Sequence, residues 1–381
     1  MILISLTITI IYLLLVGSFI FGFDKVSIFK LKDIPAKTKF SVVIPFRNEA
    51  ENLPDLLDTI ATLNYPKHLF EIILVDDASV DDSVEIIQKV LDSKQGGFDF
   101  DKPEIVVISN ERKTNSPKKD AITSAIKISK YDWIITTDAD CQLPLFWLDS
   151  FDEYIQKSNA VCIAAPVTYS NTSSFLNRFQ ILDLLSLQGA TIGGFGLKKP
   201  FLCNGANLAY KKRIFKEVNG FEGNNNIASG DDIFLLEKIT KKYPQQLQYL
   251  KCAQAIISTK PQPTWRNLMS QRIRWAAKTS AYNNGLGKLT GLVVLLMNAL
   301  ILIGLVLSII GVINFKTFFY IIFIKFNIDF FLIYKSASFF NQKEILKSYI
   351  LGFLFYPIFS VYIACISSFY GYKWKGRDFK K

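Results

Sequence analysis

The chain has 381 residues, half of them hydrophobic and 14% aromatic, with 44 Lys and Arg against 33 Asp and Glu, one histidine and five cysteines. With His68 alone, acid–base chemistry falls to carboxylates. Cysteines scattered at 141, 162, 203, 252 and 365 without paired spacing exclude a disulfide framework and a zinc site, and suit a reducing compartment. The net charge of +11 gathers beside apolar segments, at Lys25, Lys30, Lys32, Lys37 and Lys39 and again at Lys373, Lys375, Arg377, Lys380 and Lys381. That distribution argues against a nucleic-acid partner. By the positive-inside rule it places the central region in the cytoplasm of a multi-pass cell-membrane protein, beside anionic lipid headgroups.

Residues 2–23 carry no charge before Asp24, and about 20 apolar residues suffice to cross a bilayer. Without a basic n-region or a small-x-small cleavage site, 1–23 reads as a retained anchor rather than a signal peptide. Residues 39–260 then alternate strand and helix patterns: strand 40–46, helix 49–62, strand 71–75, helix 80–91, a Gly-containing loop 94–102, strand 104–108, helix 118–129 and strand 133–137. This alternation predicts an α/β domain with a Rossmann-like, mainly parallel, doubly wound sheet. Further on, the pattern predicts a helix near 172–190, a glycine-rich turn at 193–196 and a helix over 233–240. Residues 261–284 read as an amphipathic interfacial helix.

Residues 285–372 form a C-terminal membrane region and 373–381 a basic tail. Within that region, 292–315 and 345–370 read as spans, whereas Lys325, Asp329 and Lys335 interrupt 316–340. Charge at mid-membrane is costly. Hydropathy therefore favours three spans, while a basic tail on the cytoplasmic side requires two. A sequon at Asn171, Thr172 and Ser173 would stay unused in the cytoplasm.

Three carboxylate clusters end apolar runs: Asp76-Asp77, Asp138-Ala139-Asp140 and Asp231-Asp232. The carboxyl edge of a parallel sheet is where open α/β folds bind ligands. Acidic groups there suit a divalent cation held against phosphate oxygens. Side chains of an extended segment alternate, so Asp138 and Asp140 point the same way; one would bind the cation and the other a ribose hydroxyl. Asp76 or Asp77 would accept from a base or ribose, with helix capping as the competing role. Pro45, Arg47 and Glu49 close the first strand at a turn that can face a nucleotide, or simply mark a solvated turn. Lys118 opens a helix and could reach a diphosphate, or simply belong to a charged helix surface. Asn207 follows Gly205 in a turn where the backbone would closely approach a ligand, or in a purely structural turn. Asp231 and Asp232 head a helix, as an ordinary cap or as a general base facing a cleft. Gln271, Arg274 and Trp275 lie on the amphipathic helix, where Arg274 would meet a diphosphate and Trp275 an acceptor, or both would serve the membrane interface.

The strings VVIPFRNEAENL, ILVDDASVDDS, PKKDAI, TTDADC, CNGANLAYKKRIF, GDDIFLLEKI and QRIRW, in this order over about residues 40–278, resemble the membrane-integrated branch of family 2 glycosyltransferases. The resemblance implies a GT-A nucleotide-diphosphate-sugar-binding domain and an inverting transferase. Asp76 or Asp77 would contact the nucleotide, Asp138 and Asp140 would hold the sugar nucleotide with Mg²⁺ or Mn²⁺, and Asp232 would be the base. Gln271, Arg274 and Trp275 match the QxxRW signature. Asp231 stands where the family usually has Glu, and Pro117 where many members have Gly. A lipid acceptor is the expectation. A growing glycan, a polyprenyl phosphate and an inactive membrane assembly subunit are the alternatives.

Overall fold

The computed structural model describes residues 2–92, 103–170, 174–225, 227, 229–278, 281–369, 371–374 and 377–379, the last two stretches as backbone only except Gly371. The predicted loop 94–102, the sequon and the start of the helix expected at 172 lie outside the described residues. The chain divides into two compact units, one of residues 27–168 and 203–260, the other of 1–26, 169–202 and 261–381. In chain order, α1 (Ile2–Lys25) belongs to the second unit.

The first unit carries β1 (Phe40–Phe46), α2 (Leu53–Thr62), β2 (Phe70–Asp76), α3 (Ser83–Asp92), β3 (Glu104–Ser109), α4 (Pro117–Ile128) and β4 (Trp133–Thr136). These elements lie within a few residues of the predicted ones. Next come β5 (Cys141–Gln142), α5 (Trp147–Lys157), β6 (Cys162–Ala164) and β7 (Val167–Tyr169). Seven of the described strands form one sheet in the order β3-β2-β1-β4-β8-β6-β9, with β8 at Leu208–Lys211 and β9 at Leu247–Tyr249, while β5 and β7 lie in a separate three-stranded sheet. Strands β1 to β4 pair in parallel, and β8 runs antiparallel to both β4 and β6. β1 is buried on both faces from Phe40 to Ile44, which is why FSVVI reads as a continuous apolar run. Pro45 can follow because pairing with β4 reaches only to Val43, so its missing N–H breaks no bond on that side.

Two sheet-edge elements set the site. α4 begins at Pro117, whose fixed φ suits a first helical turn, so a proline here is no obstacle to placing Lys118. After α7 (Lys212–Glu217), α8 (Asp231–Lys242) starts at the paired aspartates.

The second unit holds α6 (Phe175–Gly196), α9 (Trp265–Ala277), α10 (Gly285–Ile309), α11 (Phe315–Phe339) and α12 (Tyr349–Phe369). The turn expected at 193–196 is instead the last turn of α6. A Cβ on Gly193 would stand 2.4 Å from the Phe19 carbonyl oxygen, and one on Gly196 1.8 Å from that of Gly22. These glycines let α1 and α6 touch backbone to backbone, the small-residue packing common among membrane helices.

Among the described residues, four helices are long and apolar enough to cross a membrane: α1, α10, α11 and the segment Lys343–Phe369 that contains α12. α11 accommodates its charges by pairing them. Lys325 Nζ lies 2.5 Å from Asp329 Oδ2, Tyr12 of α1 donates to Asp329 Oδ1 at 2.5 Å, and Lys335 meets Asp24 at 2.8 Å. The two contacts with α1 advance in the same sense along both helices, so α1 and α11 run parallel.

Candidate active site

Within the first unit, the turns after β1 and β2 are laced together. Arg47 Nη1 donates to the carbonyls of Asp77 at 2.6 Å and Ala78 at 2.5 Å, and the Asn48 and Glu49 N–H groups donate to Ser79 and Ser83 hydroxyls. Asp76 Oδ1 accepts the Ser79 N–H at 2.9 Å, and Glu49 Oε2 accepts from the Asn52 amide. Asp76 thus closes a turn ahead of α3, and the capping contact foreseen for this cluster falls to Asp81, whose Oδ1 accepts the Ser83 N–H at 3.2 Å. Asp77 differs. Its carboxylate, nearly buried, is gripped by Arg112 through Nε at 2.7 Å and Nη2 at 3.0 Å, and by Asn110 Nδ2 at 2.7 Å. Asn110 and Arg112 were missed in the sequence, where they read as loop. The available signal is their position: β3 lies beside β2, and residue 110 follows its last paired residue.

The second cluster forms at the end of β4. Asp138 and Asp140 are half-exposed with Ala139 buried between them, but in a turn rather than the expected extended segment, the Cys141 N–H donating to the Asp138 carbonyl at 3.2 Å. Lys118 Nζ sits 2.6 Å from Asp138 Oδ1 and 3.6 Å from Asp231 Oδ2. Burial opposes the charge on Lys118, yet the carboxylates of Asp138, Asp231 and Asp232 outweigh it and hold the ammonium pKa above the ordinary lysine value. Its neighbour Lys119 turns the other way, fully buried, donating to the carbonyls of Asn224 and Ile227 ahead of α8. Burial, with Asp140 and Asp138 alongside, pushes the Cys141 thiol well up.

The turn Gly205–Asn207 completes this cluster. Asp232 Oδ2 accepts the Gly205 N–H at 3.1 Å and Oδ1 the Ile233 N–H at 2.8 Å, which fixes the carboxylate's orientation. A Cβ on Gly205 would lie 3.0 Å from Asp231 Oδ2 and 3.7 Å from Lys118 Nζ, so the close approach expected here is real and is to the acidic residues. Asn207 corrects an expectation. It is fully buried, its amide donates to Pro166 and Ala255 carbonyls and accepts from Trp147 Nε1. With those groups used, the Asn207 side chain anchors the turn from inside the core.

Oxygen donors alone at Asp138 and Asp140 fit a hard cation, Mg²⁺ or Mn²⁺. Among the described residues no group of three His, Cys, Asp or Glu could cage an ion unaided. The donor set therefore suits an ion that shares its coordination with substrate phosphates.

In the second unit, the QRIRW segment lies on α9. Arg272 is buried and donates through Nε to Asp183 Oδ2 of α6 at 2.6 Å and through Nη1 to Gln271 Oε1 at 2.5 Å. Trp275 lies against the Arg272 guanidinium, 4.1 Å from its carbon to the ring centre. Arg274 is half-exposed. Neither Asp183 nor Arg272 was singled out in the sequence.

Residues 41–218 match the family model described as glycosyl transferase family 2. The chain therefore carries a family 2 glycosyltransferase domain. It is 41% identical over 112 residues to an undecaprenyl-phosphate 4-deoxy-4-formamido-L-arabinose transferase of Pseudomonas savastanoi, covering 29% of this chain and 31% of that protein. It is 24% identical over 244 residues to a poly-beta-1,6-N-acetyl-D-glucosamine synthase of Staphylococcus epidermidis, covering 62% and 53%. Each match thus spans at most about half of the relative. The mannosyltransferase PcManGT of Pyrobaculum calidifontis, solved with GDP-Man and Mn²⁺, superposes with a TM-score of 0.53 at 13% identity, over 92% of this chain and 95% of that one. The fold is of the GT-A type, joined to helices that make this a membrane protein.

Proposed function

We propose that this protein is an inverting, metal-dependent glycosyltransferase that moves a sugar from a UDP-sugar to a lipid acceptor at the membrane. The observation that carries the reading is the junction of Lys118, Asp138, Asp231 and Asp232 around Gly205, because it sets a fixed cation and two acidic pairs at one sheet edge. Asp232 removes the acceptor hydroxyl proton while that oxygen attacks the anomeric carbon from the face opposite the leaving diphosphate. Lys118 offsets charge on the diphosphate as the glycosidic bond breaks. Asp140 and Asp138 would hold Mg²⁺ or Mn²⁺, which supplies Lewis-acid stabilisation of the leaving group. Asp77, with Arg112, Asn110 and the Arg47 turn, is assigned to the nucleoside. Gln271, Arg274 and Trp275 are assigned to the leaving diphosphate and acceptor by their signature. An α-linked donor would give a β-linked product.

A second reading, a polyprenyl phosphate acceptor, is favoured by the similarity to the undecaprenyl-phosphate transferase of Pseudomonas savastanoi. Such an acceptor is already ionised and needs no base. The test is turnover by the full chain in detergent, offered UDP-glucose, UDP-galactose, UDP-N-acetylglucosamine and GDP-mannose with Mn²⁺, with and without total lipid extract. Lipid-borne label that requires the extract supports the proposal. Polymer formed without added lipid would move the chain to the polysaccharide synthases. Absence of both turnover and nucleotide binding would leave an assembly subunit.

The catalytic unit is assigned to the cytoplasm by its flanking charges. Parallel α1 and α11 support reading α11 as a full span, and three C-terminal spans would leave residues 373–381 on the membrane side opposite to residues 39–260. Thiol labelling of single cysteines introduced at Lys94 and Lys381, in sealed vesicles, should report opposite sides; the same side for both would reject this arrangement.

A further inference from the structure

We propose that Asp183 is the positioning residue of the α9 helix, acting through Arg272 to fix Gln271 and Trp275 for the acceptor. The inference rests on the glycosyl-transfer reading above. Asp183 and Arg272 are both more than nine-tenths buried. Taking such a pair out of water is costly, and apolar residues of similar size commonly hold a fold as well, so the pair is weakly explained by stability alone. Its geometry supplies another reason. The guanidinium is a planar fork with donors in fixed directions. One edge is spent on Asp183, Nη1 reaches Gln271 Oε1, and the flat face carries the Trp275 ring. Fixing the fork therefore fixes both neighbours.

Other groups of the unit surround the pair. Tyr356 of α12 lies near Asp183, and the Tyr169 hydroxyl lies 3.3 Å from Gln271 Oε1 and 3.5 Å from Arg272 Nη1. α6, which bears Asp183, lies against α1 along its glycines. The orientation of two signature residues on α9 is thus tied, through Arg272, to a side chain on α6. A lysine at 272 would keep the charge but present a point rather than a fork.

The test uses full-length protein in detergent, with D183N, D183E and R272K compared to wild type. The donor is whichever UDP-sugar wild type turns over, and the acceptor probe is total polar lipid extract, titrated. D183N and R272K should raise the apparent acceptor KM about tenfold with UDP affinity unchanged, and D183E should recover part of the loss. Unchanged acceptor KM, or a fall in UDP affinity of equal size, overturns the role. R272K preserves the buried charge pair, so it decides the matter if D183N does not fold. A second readout is independent of turnover: the Trp275 emission and acrylamide quenching, obtained by subtracting the W275F protein, should change in R272K. If wild type turns over no donor, the glycosyltransferase reading fails while this fluorescence still decides the positioning, and an unchanged signal rejects it.

Discussion

The two units treat charge in opposite ways. At the sheet edge, one cation, Lys118, faces Asp138, Asp231 and Asp232, with Asp140 half-exposed on the same strand end. In the helical unit three described cations are each matched by one carboxylate: Arg272 by Asp183, Lys325 by Asp329, Lys335 by Asp24. Both arrangements hold ion pairs, but they differ in what is left over. The first keeps a surplus of carboxylate that a substrate cation can complete, and its members stay partly open to solvent. In the second, the buried cations Arg272 and Lys325 each have a carboxylate of their own, as burial demands. A charge imbalance at an accessible edge marks a place for ligands, whereas a closed balance marks architecture or positioning.

The comparison breaks first at Asp232. Asp232→Asn keeps the shape and removes the base, so transfer to a hydroxyl acceptor should fall about 10²–10⁴-fold, read as initial rates, with UDP affinity unchanged. Full activity would remove the base role and favour the polyprenyl phosphate reading. The balanced side breaks next. Lys325→Met alone strands Asp329 in the bundle and should cost about 3–5 kcal/mol, measured by thermal unfolding in detergent. The double change Lys325→Met with Asp329→Leu should restore most of that. Equal damage from both would show that the pair does more than cancel charge. Lys118→Met then sharpens the surplus side: with its cation gone, the acidic edge should bind UDP about tenfold more weakly, by calorimetry, with little change in unfolding temperature.

Much of this was legible in the sequence because it is local. The parallel strands β1 to β4 follow from apolar runs closed by turns, and the Asp138–Asp140 pair from its place at the end of one such run. The membrane helices follow from length and hydropathy. What escaped depends on partners distant in the chain. Asn110 and Arg112 have meaning only beside Asp77, on the neighbouring strand. Asp183 sits 89 residues from Arg272 and looks like an ordinary helical acid. Gly193 and Gly196 resemble a turn until α1 is placed against them. Asn207 was misjudged because a polar turn residue next to a functional glycine reads like a ligand contact, while its true partners come from Trp147, Pro166 and Ala255.

The smallest expected effect lies at an acidic group with no cation at all. Asp149, on the first turn of α5, is half-buried, and its Oδ2 has no hydrogen-bond partner among the described atoms. Desolvation, with Asp152, Asp33 and Glu153 nearby, raises its pKa to about 6. In the unfolded chain it titrates near 3.9. Between these values the folded state holds more protons than the unfolded one, so this group's contribution makes stability rise as pH falls from about 6 to 4. Above pH 6 the penalty is constant and present in full. Asp149→Asn removes it, and solvent screening of a half-buried group holds the gain to about 1 kcal/mol at pH 7.5. The gain should vanish by pH 4, where wild type is protonated as well. Unfolding temperatures of the two proteins across that range check the sign: a gain that persists at pH 4 would mean the substitution acts through packing rather than charge. A loss at pH 7.5 would mean that the carboxylate is a needed acceptor, and that acids without a cation partner can still belong to the architecture.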